Sequence, residues 1–114
     1  MAIYLDYNAS TPVDPVVRDA MRSYQHEHYG NPSSAHVYGR PLRAAVNRAR
    51  GQVATLIGAA PEEITFTSGG TESNNHVVKG VAHTLRDRGR HLVVCSVEHP
   101  SILNPCRSLA AWGF

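Results

Sequence analysis

The segment Glu63 to Ser73, reading EITFTSGGTES, constrains this chain more than any other. Ile64, Thr65, Phe66 and Thr67 are β-branched or aromatic, so they favour an extended backbone and predict a short buried strand. Ser68, Gly69 and Gly70 turn the chain, and Val77, Val78, Val81, Ala82 and Leu85 then recur at helical spacing. Gly89 closes that helix, with Arg86 and Arg88 near the negative end of its dipole. His91 to Cys95 (HLVVC) predicts a second buried strand. Strand, glycine turn, helix and strand within about 32 residues form a βαβ unit, so the chain is expected to be an α/β protein with a parallel sheet.

Around this unit the sequence writes helices. Ile3 to Leu5 read as a short extended piece, followed by the turn residues Asn8, Ser10, Pro12 and Asp14. Asp14 as N-cap and Pro15 at the first helical position predict a helix over 15–27, with Val16, Val17, Ala20, Met21 and Tyr24 on one face. The stretch YGNPSS, residues 29–34, is a loop, because Pro32 lacks an amide donor and pushes Asn31 out of the helical region. Leu42, Ala45, Val46, Ala49, Val53, Leu56 and Ile57 predict an amphipathic helix over 37–57, stopped by Gly58. A last helix over 101–111 carries Ile102, Leu103, Cys106, Leu109 and Ala110. Two strands do not complete a doubly wound sheet, so the sequence is expected to be the front part of a longer protein.

Composition narrows the function classes. With 114 residues, 42% of them apolar, the chain has material for one domain at most. Eleven Lys and Arg against nine Asp and Glu leave a charge of +2, too weak a field to argue for nucleic acid or an acidic membrane. An RNA-binding module would also need an aromatic stacking motif that the sequence lacks. Arg40, Arg43, Arg48 and Arg50 predict a solvated basic side on the long helix. Cys95 and Cys106 are too few for a disulfide scaffold, and their positions predict core residues. Neither His26, His28 and His36 nor Cys95, His99 and Cys106 follow a metal-ligand spacing, so no metal is expected. No run approaches the ~18 apolar residues of a membrane span, and MAIYLDYNAS lacks a signal-peptide pattern, which leaves the cytoplasm as the expected location.

Two features carry chemistry. Ser68-Gly69-Gly70-Thr71-Glu72-Ser73 lies where a strand passes into a helix. Free amides at a helix N-terminus, glycines that admit an anion and nearby hydroxyls make a phosphate or carboxylate cradle; the same residues also suit a plain capped turn. The pattern is neither a Walker A loop nor GxGxxG. The second feature is Val97-Glu98-His99-Pro100-Ser101, at the carboxyl end of the second predicted strand, where open α/β sheets bind ligands. His99 there can act as a general acid or base, lie flat on an aromatic cofactor, or be an exposed loop histidine. Lys79, the single lysine, sits two turns along the helix, a difficult distance from which to reach back to the cradle.

YLDYNASTPVDP, YGNPSSAHVYGR, EEITFTSGGTESNN and VEHPSILNPC, in this order and spacing, resemble the amino-terminal quarter to third of a cysteine desulfurase, a class-V aminotransferase-type enzyme that uses pyridoxal 5'-phosphate. Ser10 stands where threonine is commoner in that family, and Gly70 where alanine also occurs. The resemblance implies the aspartate-aminotransferase-like fold (fold type I), with residues 1–14 an extended part of the small domain and 15–114 the incomplete first part of the large cofactor-binding domain. It implies that Gly70 and Thr71 hold the cofactor phosphate, and that His99 stacks on the pyridine ring and moves protons. It further implies L-cysteine as substrate, alanine and an enzyme persulfide as products, a sulfur-acceptor protein such as an iron–sulfur scaffold, and a homodimer. In the family the Schiff-base lysine, the aspartate on the pyridine nitrogen, the persulfide cysteine and the substrate-carboxylate arginine all lie beyond the match to this chain. Lys79, Cys95 and Cys106 occupy other motif positions, so the 114 residues alone are not expected to be active. A selenocysteine lyase or a small-amino-acid aminotransferase shares the same motifs, and a non-catalytic remnant or binding module is the alternative outside enzymes.

Overall fold

The computed structural model describes residues 2–114. Four α-helices follow one another, α1 (Pro15–His26), α2 (Gly39–Ile57), α3 (Gly70–Thr84) and α4 (Pro100–Ala110), with a 3-10 turn at Pro61–Glu63 between α2 and α3. The chain divides into two compact units, one ending at Ile64 and the other spanning Thr65–Phe114.

In the first unit, the Asp14 side chain accepts from the Val16 amide at 2.8 Å and starts α1 as its sequence predicts. α2 ends where Gly58 turns into the left-handed region at φ 70°. The loop between the two helices is tied down by side chains. Asn31 accepts from the Ser33 amide at 2.8 Å, the rings of Tyr29 and Tyr38 stack at 5.2 Å, and Arg43 donates to the carbonyls of Pro32 and Ser33 at 2.9 and 2.7 Å. Gly39 is buried against this loop, where a Cβ would meet the Ser34 carbonyl and lie 2.6 Å from that of Asn31. Arg48 donates to the Tyr24 hydroxyl at 2.9 Å and Arg50 to the Ile64 carbonyl. The basic side of α2 is therefore not simply solvated: three of its arginines cap backbone or phenol oxygens of neighbouring segments, which a planar multi-donor group does well.

In the second unit, α3 and α4 pack side by side. Ser101, Pro105 and Leu109, spaced by four, form the buried stripe of α4, and Ala82 is the buried residue of α3. The Asn74 side chain reaches Ser101 near the starts of the two helices, and His83 meets the rings of Trp112 and Phe114 near their ends, so the two run in the same direction. α3 stops at Thr84, short of Gly89, and the chain turns through Arg88 N–H to Leu85 C=O at 2.8 Å. Beyond Leu85 the sequence RDRG offers no apolar side chain to hold another turn, so Arg86 and Arg88 lie outside the helix whose dipole they were expected to complement.

The two predicted strands, 64–67 and 91–95, are not formed as strands, and no described residue belongs to a sheet. Ile64 has extended angles, φ −95° and ψ 123°, but extended angles alone do not make a strand, which exists only as part of a hydrogen-bonded ladder. Without that cover Cys95 is exposed and Cys106 half-buried, against the expectation that both are core residues. The same shortage of cover runs through the chain. Its accessible surface is 9427 Å², whereas a folded monomer of this mass exposes about 6,100 Å². Among the described residues Ala54, Ala82 and Leu109 are the buried hydrophobic ones, while Val16, Leu56, Val93 and Val97 are each more than three-quarters exposed. No helix among the described residues is long and apolar enough to cross a membrane.

Candidate functional site

The start of α3 is built as an anion seat. Its N-cap is Gly69, which offers no capping side chain, and its first intrahelical bond runs from the Ser73 amide to the Gly69 carbonyl at 3.1 Å. The amides of Gly70, Thr71 and Glu72 precede that bond and have no carbonyl one turn back within the helix, so they face outward at the positive end of its dipole. Gly69 has φ 153° and ψ −174°, a conformation essentially confined to glycine. A Cβ at Gly69 or Gly70 would meet nothing within 4 Å, so an anion can approach the backbone closely.

Side chains brace the turn from behind. The Thr67 hydroxyl lies 2.7 Å from that of Ser73, and both hydroxyls reach the Gly69 carbonyl at 3.2 Å. The Glu72 carboxylate turns back to accept from the Ser68 amide at 2.6 Å. That backbone bond holds the Glu72 carboxyl below the usual carboxylate range, with the Ser68 hydroxyl adding to the effect and His76 contributing a smaller attraction. Glu72 thus satisfies the preceding loop and leaves the α3 amides to an incoming group.

His99 is the N-cap of α4, its Nδ1 accepting from the Ser101 amide at 3.1 Å. An amide can only donate, so Nδ1 presents its lone pair and the proton of the neutral ring resides on Nε2. The Ser101 hydroxyl also lies 2.8 Å from Nδ1 and accepts from the Asn74 side-chain amide at 2.8 Å. Because Nδ1 carries no proton to give, the hydroxyl meets it as the donor. Ser101 is 8% exposed and is the buried polar residue among those described.

These elements share one cavity of about 450 Å³, whose walls include Thr71, Asn75, Lys79, His99, Ser101 and Asn104. Two residues singled out from sequence, Thr71 and His99, thus face one space, and Gly70 lies beside it in the first turn of α3. Lys79 also lines this cavity, which the sequence reading had set aside as too distant. Thr71, Asn75 and Lys79 are four apart, hence on one helix face, but about 12 Å of rise separates Lys79 from Thr71 and puts the ammonium on the far wall. That four-residue register was the available signal for Asn75 and Lys79. Asn74 and Ser101 carried none, because their meeting depends on how α3 packs against α4.

The model of the aminotransferase class-V family matches residues 3–113. The chain belongs to this family. Among class-V relatives, the cysteine desulfurase of Rattus norvegicus is 56% identical over 113 residues, covering 98% of this chain and 25% of that protein. The cysteine desulfurase IscS of Dictyoglomus turgidum is 49% identical over 112 residues, covering 98% of this chain and 28% of its own length. A solved structure of a NifS-like protein superposes with a TM-score of 0.90 at 40% identity, over 100% of this chain and 31% of the other. The chain therefore spans about a quarter of the length of the curated relatives it matches.

Proposed function

We propose that this chain supplies the amino-terminal, cofactor-holding part of a pyridoxal 5'-phosphate-dependent cysteine desulfurase. The observation that carries this reading is that the unpaired first turn of α3 with Thr71 and the ring of His99 open onto one cavity. The fit to the cofactor is chemical. A phosphate dianion matches outward amides, a hydroxyl and a helix N-terminus, and a flat imidazole with Nε2–H matches a planar heteroaromatic ring. A volume of about 450 Å³ lies within the range of small-molecule sites. The strong similarity to cysteine desulfurases over nearly all of the chain supports this assignment.

In this reading Gly70 and Thr71 bind the phosphate, Thr71 through both its amide and its hydroxyl. His99 lies against the pyridine ring, fixes its orientation and holds a proton at Nε2 for the reaction. When bound, the cofactor serves as the electron sink that weakens bonds of the attached amino acid. The substrate is L-cysteine, the products are alanine and an enzyme persulfide, and the sulfur passes to an acceptor protein such as an iron–sulfur scaffold. The lysine that anchors the cofactor and the cysteine that takes the sulfur come from outside these 114 residues. The complete enzyme is a cytoplasmic homodimer in which residues 1–14 extend into the small domain and 15–114 open the large one. There the segments 64–67 and 91–95 become strands of the sheet.

The test is turnover by the complete encoded polypeptide supplied with pyridoxal phosphate and a reductant. Alanine and sulfide formed in equal amounts from L-cysteine support the reading. Selenide release from selenocysteine with inert cysteine would favour a lyase, and amino transfer to a keto acid an aminotransferase.

A further inference from the structure

The contact between α3 and α4 contains a hydrogen-bonded series with a direction. Asn74 Nδ2 donates to Ser101 Oγ, and Ser101, through both its hydroxyl and its amide, donates to His99 Nδ1. The donors are fixed by chemistry at both ends: the Asn74 amide nitrogen has no lone pair to offer, and the Ser101 backbone N–H cannot accept. The hydroxyl between them is the one group free to choose, and it belongs to a residue only 8% exposed.

We propose that Asn74 and Ser101 are positioning residues that hold His99 as its Nε2–H tautomer with the ring fixed at the cavity wall. This goes beyond the assignment of His99 itself, and its catalytic consequence rests on the proposed function above. An imidazole locked this way keeps its proton on the nitrogen turned away from α4, and it cannot rotate about its Cβ bond without breaking two accepted hydrogen bonds. Asn74 is not among the residues that line the cavity. It acts by donating to Ser101 Oγ, which holds the hydroxyl in place with its own proton left for His99 Nδ1.

The inference makes a directional prediction. Asn74→Asp is nearly isosteric but reverses the first bond, because a carboxylate accepts from Ser101 and draws the hydroxyl proton away from Nδ1. Ser101→Ala removes the hydroxyl and leaves the amide alone to hold the ring, whereas Ser101→Thr keeps it. In the complete encoded polypeptide labelled with nitrogen-15 histidine, with the His99 signals assigned by difference against His99→Gln, the unaltered protein shows Nδ1 unprotonated and Nε2 protonated. Asn74→Asp and Ser101→Ala lose this single form and show exchange between tautomers, and Ser101→Thr restores it. With L-cysteine, kcat falls about tenfold in the first two variants, as for loss of one hydrogen bond made at the reacting group, while KM changes less than about twofold.

A proton on Nδ1 in the unaltered protein, or an Asn74→Asp spectrum unchanged from it, overturns the proposal. An altered tautomer with unchanged kcat overturns the catalytic consequence. Should the unaltered protein fail to turn over cysteine while its tautomer follows the predicted pattern, the positioning by Asn74 and Ser101 stands and the desulfurase reading fails. If Ser101→Ala does not fold, Asn74→Asp alone decides, since it keeps the size and the buried contact.

Discussion

The Glu72 carboxylate and the Ser68 amide, 2.6 Å apart, close the first turn of α3 onto the loop before it and leave the amides of Gly70 and Thr71 without an acceptor within the helix. The bond works as the second half of a capping box, with the carboxylate reaching one residue beyond the N-cap.

Because this bond lowers the Glu72 carboxyl from its ordinary value, its contribution is fully present above the usual carboxylate range and is lost as pH falls through the depressed value. The protection factor of the Ser68 amide against hydrogen exchange should therefore decline in acid. In Glu72→Gln it should be lower at neutral pH and flat with pH. Protection that follows the same acid decline in the glutamine variant would assign the effect to another group.

Gly69 and Gly70 separate backbone strain from crowding. Neither position would place a Cβ within 4 Å of another atom, but Gly69 holds φ 153° and Gly70 begins the helix. In the complete encoded polypeptide, Gly69→Ala should cost about 1–3 kcal/mol, read as a lower unfolding midpoint, whereas Gly70→Ala should leave the midpoint within experimental error or raise it slightly. Equal destabilisation by both would contradict the strained turn.

Thr71→Val keeps the shape of the side chain and removes its hydroxyl. Thr71 is exposed, so the fold should be unaffected, while the affinity for pyridoxal phosphate should fall by about tenfold or more, as for loss of a hydrogen bond to a charged group. Equilibrium dialysis with the cofactor measures this. An unchanged affinity would remove Thr71 from the phosphate seat.

Much of this was legible in the sequence because it is local. The Asp14 cap with Pro15, the Gly58 stop, the helical spacing of α2 and the glycine turn before α3 all depend on neighbours a few residues away, and the structure shows each where the pattern puts it. Thr71 and His99 stand out as candidates for the same reason, each at the start of a helix after a turn. Long-range pairing was not legible. The apolar runs 64–67 and 91–95 have strand composition, but a ladder needs partner strands that composition cannot supply. Asn74 meets Ser101 across 27 positions, and Arg43 reaches a loop 11 residues before it, so neither contact leaves a periodic trace.

The exposure of the 114 residues also predicts their behaviour when expressed alone. With buried hydrophobic residues as small as Ala54 and Ala82, and with Val93 and Val97 88% and 86% exposed, the isolated chain should bind a hydrophobic dye and self-associate, and it should melt without a sharp transition. A monomeric sample with one cooperative melt would contradict this.

The most direct test of the central claim is a crystal structure of the complete encoded polypeptide with pyridoxal phosphate bound. The account predicts the phosphate on the amides of Gly70 and Thr71 and on the Thr71 hydroxyl, with the pyridine ring lying flat against His99. A phosphate seated elsewhere, or a ring that leaves His99 facing solvent, would contradict it.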